Sequence, residues 1–455
     1  MSEKLYSKSD SFDESDDSQE NEEAALVFEI EASLEYLFKG LQGEATGYLY
    51  KEYMLLKQPL HSEFTLKYRE IIGIKGENYR IYITCASGEE LIISCLGYSY
   101  EDFLRILIKN RNELILQDML MYESKIFMEA EGEYIHRDDS GSELSSGECI
   151  MRLYETGLII IPNTSNPFRI PYSLISKFNE DNHRLYIETD IGECIILSQI
   201  GLALEGLKHT YTELITKLDK RLQPTIQNLF KETSSSLFTQ LTMLIRDGKS
   251  AKKEDLDSLK VDLWPQMEFR LKSLGLSEEY DYLKSMSHEN KISIGLKKGL
   301  MGDLTSEYIW FLVPIYALTP VPFGNIIAME AVSKEGEGKA TYFFKIMERA
   351  AFNKLQSLEE LHKHVDRFIK LLNYSMLQIN FRREPIYLST EQLSSPQYLK
   401  YMYAIEAQPA LKLMRKHFVG RVIHSSMEQW KQDVMDLIKF NTTEEADSKV
   451  WKRNK

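Results

Sequence analysis

Three basic residues, Lys57, Lys67 and Arg69, have the types and spacing to hold a phosphate group. Lys67 and Arg69 flank Tyr68 in a run whose alternation of apolar and polar residues predicts a strand. On a strand those two project to the same side, so with Lys57 across a hairpin the three would surround one anion. A second basic set lies far along the chain. Lys412 and Lys416 share a side of a predicted helix with Arg415 beside them, which reads as a solvated face or a strip for anionic lipid. Residues 221–455 hold 34 bases against 29 acids. So modest an excess argues against nucleic acid as a ligand.

Catalytic and metal chemistry find no anchor. His362, His364 and Asp366 have the types of a metal cluster, but Leu361, Val365, Phe368 and Leu372 mark their segment as a helix. Residues two apart on a helix point about 200° from each other and cannot share a metal. His424 and Glu428 would share one helix face, with no further ligand close in sequence. Gly295, Gly299 and Gly302 lack the spacing of a phosphate loop, and no G-x-S-x-G elbow is present. The cysteines Cys85, Cys95, Cys149 and Cys194 lack C-x-x-C spacing and read as reduced thiols. No catalytic residue, metal ligand or cofactor is therefore assigned.

The elements that must position these residues come in two copies. Shifted by 104 positions, Gly43–Leu114 lies over Gly147–Leu218 without a gap and is identical at 18 of 72 positions. Within each copy apolar residues recur at every second position, and turn signals fall at Asn78 and Gly88 in one copy and at Asn182 and Gly192 in the other. A meander of short antiparallel strands follows, closed in each copy by an amphipathic helix. Ser99 and Asp102 would open the first helix; Leu204, Leu207, Tyr211, Leu214, Leu218 and Leu222 trace a face of the second. Opening strands are expected at 26–32 and 126–130.

This order of elements resembles a pleckstrin-homology-like domain, in the wide sense that includes GRAM and bacterial PH-type domains. The resemblance is carried by Gly47-Tyr48-Leu49-Tyr50 with Arg152-Leu153-Tyr154, by Ile170–Ile175, and by Arg184-Leu185-Tyr186-Ile187 ahead of Gly192. It covers residues 26–220 and implies binding modules in place of an enzyme. The family's headgroup signature, a lysine followed by a basic-x-basic pair, resembles Lys57, Lys67 and Arg69. The second copy departs from it, with Ile161, Pro171 and Ser173 at the matching positions.

The expected organisation is α+β: an acidic tail (1–25), PH-like domains at 26–121 and 122–220, a helical connector (221–290), an α+β domain (291–378) and a mainly helical end (379–455). The strands and helix of 291–378 would suit a third, diverged unit. Within 221–290, helices are expected at Thr225–Arg246, entered through Pro224, and at Gln266–Leu274. A strand is expected at Gln378–Leu388, and Lys449–Lys455 should fray. Tyr308–Met329 is 22 residues without a charge, yet Pro314, Pro320, Pro322 and Gly324 favour two buried strands over a membrane span. The opening MSEKLYSK does not read as a secretory signal, so a cytoplasmic protein is expected. Residues 1–25 carry nine acids against two lysines and lack an apolar pattern, as a disordered arm would.

The first functional expectation is a non-enzymatic adaptor whose tandem PH-like domains bind a protein or peptide partner. Three others stay open. One is a peripheral membrane protein that takes anionic lipid through Lys57, Lys67 and Arg69. Another is a histone-chaperone-like binder of basic proteins that uses the acidic tail. The last is an enzyme with an unrecognised site in the rear domain.

Overall fold

The structure is a computed structural model that describes residues 26–36, 42–59, 63–120, 123–230, 234–300, 303–318, 325–333, 340–379, 381–395, 397–398, 401–402, 405 and 409–451. Among them the strands form three antiparallel sheets.

The first sheet contains β1 (Phe28–Tyr36), β2 (Gln42–Leu49), β3 (Tyr53–Lys57), β4 (Phe64–Lys67), β5 (Ile71–Glu77), β6 (Arg80–Cys85) and β7 (Glu90–Ser94), followed by helix α1 (Tyr100–Leu120). The second contains β8 (Met128–Arg137), β9 (Glu143–Leu153), β10 (Gly157–Pro162), β11 (Phe168–Pro171), β12 (Ile175–Asp181), β13 (Arg184–Thr189) and β14 (Cys194–Ser198), followed by α2 (Ala203–Leu229). Strand order is β4-β3-β2-β1-β7-β6-β5 in the first and β11-β10-β9-β8-β14-β13-β12 in the second, so the sequence repeat is a repeat of topology. Each sheet curls round one core. Leu34, Leu49, Leu56, Leu66, Ile83 and Ile93 come from six different strands and meet Phe103 and Leu107 of α1 in a single apolar cluster.

Local chemistry explains the matching turns. Asn78 and Tyr79 both take positive φ in the β5–β6 hairpin, as do Asn182 and His183 in β12–β13, the geometry of a two-residue turn that suits the sheet's twist. In both copies a 3-10 turn follows the fourth strand and brings a tyrosine inward. Tyr68 donates its hydroxyl to the Tyr50 carbonyl at 2.8 Å, and Tyr172 donates to Tyr154 at 2.9 Å.

The terminal helices join the units. Leu107 and Leu114 of α1 face their own sheet, while Leu116 packs on Tyr154, Ile159 and Ile161 of the next. Leu207 and Leu218 of α2 do the former; Leu222 and Ile226 enter the rear core. Pro224 therefore lies inside α2 and does not open a helix, contrary to the sequence expectation. Burial of Leu222 and Ile226 on either side holds the chain helical through the one missing N–H.

Beyond α2 come α3 (Ser235–Ile245), β15 (Ser250–Lys252), α4 (Lys253–Leu259), α5 (Leu263–Lys272) and α6 (Ser277–Ser285). The third sheet runs β15-β16-β17-β18-β19-β20, with β16 (Ser293–Leu300), β17 (Asp303–Ile315), β18 (Ile326–Ser333), β19 (Ala340–Lys345) and β20 (Phe418–Ile423). It draws β15 and β20 from outside 291–378 and has a different order from the first two. The uncharged stretch 308–329 supplies parts of β17 and β18, with 319–324 outside the described residues. Among the described residues no helix is long and apolar enough to cross a membrane.

One face of this sheet carries α3–α6 and the helix Met427–Asn441; the other carries α8 (Leu358–Gln378), which follows the short α7 (Arg349–Phe352). Gln378–Leu388 is not a strand: α8 runs to Gln378, Phe381 takes positive φ, and Glu384–Tyr387 forms a helical turn with Pro385 in its first turn. Of the segment expected to fray, Lys449–Lys455, residues 452–455 lie outside the described residues; Trp451 is buried and its N–H donates to the Val419 carbonyl at 2.7 Å, which ties this position to β20.

Candidate functional site

The sequence-predicted anion site does not assemble. Lys57 is register partner to Thr46, and Lys67 to Tyr53, at the other end of β3. Four residues of strand separate them by about 13 Å. Lys57 instead pairs with Glu63 at 2.7 Å. Arg69 lies in the 3-10 turn Tyr68–Glu70, past the end of β4, so the side-to-side alternation stops before it. Its guanidinium reaches Asp118 of α1 with two bonds of 3.1 and 3.2 Å.

The second set disperses likewise. Arg415 turns inward and donates to the carbonyls of Pro385, Ile386 and Leu388, and this burial lowers its pKa. Lys416 pairs with Glu348 at 3.3 Å. Lys412, on the same helix Pro409–His417, is exposed, so the three do not form one strip.

What the fold does build is a cleft of about 640 Å³ between the second sheet and α8. One wall consists of two hairpin tips. At the first, the Asp138 carboxylate accepts from the Ser140 hydroxyl at 2.6 Å and from the N–H groups of Ser140 and Ser142, both at 2.9 Å. These bonds, the hydroxyl's foremost, hold its pKa below the usual aspartate value. At the second, Gly192 has φ +90°, and its Cα faces Asp139 so closely that a Cβ there would lie 2.8 Å from Asp139 Cβ. Glycine thus sets the spacing of the two tips. Asp138, Asp139, Asp190 and Glu193 make this wall acidic.

The opposite wall is α8. Ser357 caps it, its Oγ accepting from the Glu360 N–H at 3.1 Å. Leu361, Val365, Phe368 and Leu372 turn into the core, which leaves Lys363, His364, Arg367 and Lys370 exposed along the cleft. Ile191, Ile346, Leu371 and Leu413 supply its apolar lining. Arg367 and Asp139 meet at 2.6 Å across the gap. At the base His417 is buried, which lowers its pKa, and its Nδ1–H donates to the Lys345 carbonyl at 2.7 Å.

The helix separates the three residues of the apparent metal cluster, as its periodicity predicts. His362 Nδ1 shares a hydrogen bond of 2.6 Å with the Tyr316 hydroxyl, and Asp366 pairs with Lys291 at 2.9 Å and Lys252 at 3.3 Å. His364 and Asp366 line the cleft, whereas His362 does not. Among the described residues no group of three or more His, Cys, Asp or Glu could hold a metal.

One polar group escaped sequence reasoning. His424 does not meet Glu428; it precedes the helix Met427–Asn441, and its Nε2 lies 3.0 Å from Glu330 and its Nδ1 3.2 Å from Glu279. Burial would lower the histidine's pKa, but the two carboxylates outweigh it and the net shift is upward. Glu330 is fully buried and its other oxygen accepts from the Thr341 hydroxyl at 2.8 Å. An acid inside the run Ile326–Ser333 was the available signal, since a buried carboxylate requires a partner.

No family model matches the sequence, and no curated protein matches it. Among solved structures, it is similar to one described as the Spt16D Pob3N heterodimer, with 14% identity and a TM-score of 0.15 over 37% of this chain and 87% of that one.

Proposed function

We propose that the protein is a non-enzymatic binding protein that clasps an extended peptide segment between its second sheet and α8. The observation that carries this reading is the pair of oppositely charged walls, Asp138, Asp139, Asp190 and Glu193 facing Lys363, Arg367 and Lys370 over an apolar lining. A segment with acidic side chains on one edge and basic ones on the other would pair with both walls, and its apolar residues would cover Ile191, Leu371 and Leu413. The lining offers ion pairing and apolar contact, the two interactions by which such a segment would be held. The two seven-stranded units, each with a terminal helix, support the finer description as PH-like binding modules.

The reading is tested with three fluorescent decapeptides titrated into the full chain: one alternating Glu and Lys around leucines, one of polyglutamate and one of polylysine. The dipolar peptide should bind, and Lys363→Glu with Lys370→Glu should weaken it while the fold persists by circular dichroism. Equal binding of all three peptides, or indifference to the double variant, would defeat the proposal.

A further inference from the structure

The outer face of the second sheet is a seat for α1. Tyr154, Ile159 and Ile161 pack on Leu116, and Arg152 pairs with Glu113 at 2.8 Å. At one end of the contact Asn112 Nδ2 donates to the Ser165 carbonyl at 3.3 Å and Arg111 Nη1 to Asn166 Oδ1 at 2.5 Å.

The 104-residue offset carries this seat onto the first sheet. Arg152, Tyr154, Ile159 and Ile161 become Tyr48, Tyr50, Leu55 and Lys57, and Pro171 becomes Lys67. The strands have matching register: Tyr48 pairs with Leu55 as Arg152 pairs with Ile159. No element covers this face among the described residues. Tyr48, Tyr50, Tyr53 and Leu55 are only half-buried there, and the rings of Tyr50 and Tyr53 stack at 4.7 Å. Exposed Lys57 and Lys67 lie on one flank and exposed Glu29 and Glu31 on the other.

We propose that this face docks an amphipathic helix of a partner protein, seated as α1 is seated on the second sheet, its acidic residues toward Lys57 and Lys67 and its basic residues toward Glu29 and Glu31. The established interface shows that a sheet of this register accepts a helix. The substitutions between the copies fit a change of occupant from the chain's own helix to a soluble partner's: buried Ile161 and Pro171 are replaced by Lys57 and Lys67, and Arg152 by Tyr48, side chains that tolerate both water and contact. Tyrosines also bury large area at small entropic cost when a partner arrives. The inference does not depend on the cleft, which lies on a different sheet.

The probe is a labelled peptide with the sequence Tyr100–Leu120, because that helix already fits this register. Alone in water a helix of this length is marginal, so binding should also raise its helical circular dichroism. Titrated into the full chain, it should saturate and slow hydrogen exchange in β2 and β3. Leu55→Asp, or Tyr50→Ala with Lys57→Glu if the former fails to fold, should weaken it by about tenfold or more. The cleft variant Arg367→Glu should leave it unchanged. Lack of binding, indifference to both face variants, or protection in β9 and β10 in place of β2 and β3 would overturn the proposal. Binding seen only after removal of residues 1–25 would overturn it too, because the chain's own tail would then be the occupant.

Discussion

Arg367 reaches across the cleft to Asp139, with 2.6 Å between Nη2 and Oδ2. The contact joins α8 to a hairpin tip of another sheet, so it governs how far the cleft can open. Both side chains are well exposed, and such a pair contributes about 0–1 kcal/mol. Arg367→Glu should therefore shift the thermal midpoint little while it speeds hydrogen exchange in the turn Asp138–Ser142. Unchanged exchange there would show that the ion pair does not restrain the tip.

The two inward tyrosines should differ in cost. The Tyr50 carbonyl accepts from Tyr68 and also from Asn110 Nδ2 at 3.1 Å, whereas the position matching Asn110 in the second copy is Leu214, which has no donor. Tyr172→Phe removes a buried bond that nothing replaces and should destabilise by about 1–3 kcal/mol. Tyr68→Phe should cost about 1 kcal/mol or less, with Asn110 still bound. Urea melts of both variants measure the difference, and equal losses would contradict it.

The Glu330–His424–Glu279 group makes stability depend on pH. The folded-state pKa of His424 is raised above 6.5, so its contribution is fully present below that value and is lost as pH rises through the folded pKa. Denaturant midpoints taken at about pH 6 and about pH 8 should show a fall that shrinks in Glu330→Gln/His424→Gln. The double variant is used because His424→Gln alone would leave Glu330 charged and buried. A fall of the same size in that variant would assign it to other groups.

Lys297 and Asp247 form an ion pair of 2.6 Å with each side chain only 7% exposed. Removing one partner leaves a buried charge, a loss of about 3–5 kcal/mol. Lys297→Met should cause that loss, and adding Asp247→Asn should restore part of it. A Lys297→Met protein as stable as the parent would rule out burial of the charge.

The repeated sheets were legible because their information is local: period-two alternation, glycines at tight turns and asparagines at positive φ. The rear sheet was legible in its middle, where β16–β19 fall on apolar runs. Its edges were not. Three residues of β15 carry no periodicity, and β20 is defined by pairing with a strand some eighty residues earlier. Lys57, Lys67 and Arg69 have the chemistry expected of them, but Tyr68 turns inward and takes Arg69 off the strand. The cleft joins five segments of the sequence, 138–139, 190–193, 346, 363–371 and 410–417. One hint existed: β1 pairs Phe28 with Leu49 and β8 pairs Met128 with Leu153, so the second copy's first hairpin holds four more residues, and its tip supplies Asp138 and Asp139 to the acidic wall.

Because α1 is apolar on two sides, the first unit cannot be finished by itself. A ribosome releases the amino-terminal domain first. Until β9 and β10 have been synthesised and paired, Leu116, nearly inaccessible in the complete fold, faces water. The nascent chain thus passes through a stage with a sticky helix and no cover, the period in which a chaperone would be needed most. A stop codon placed just after α1 would make that stage permanent and yield an aggregating fragment in place of a small domain.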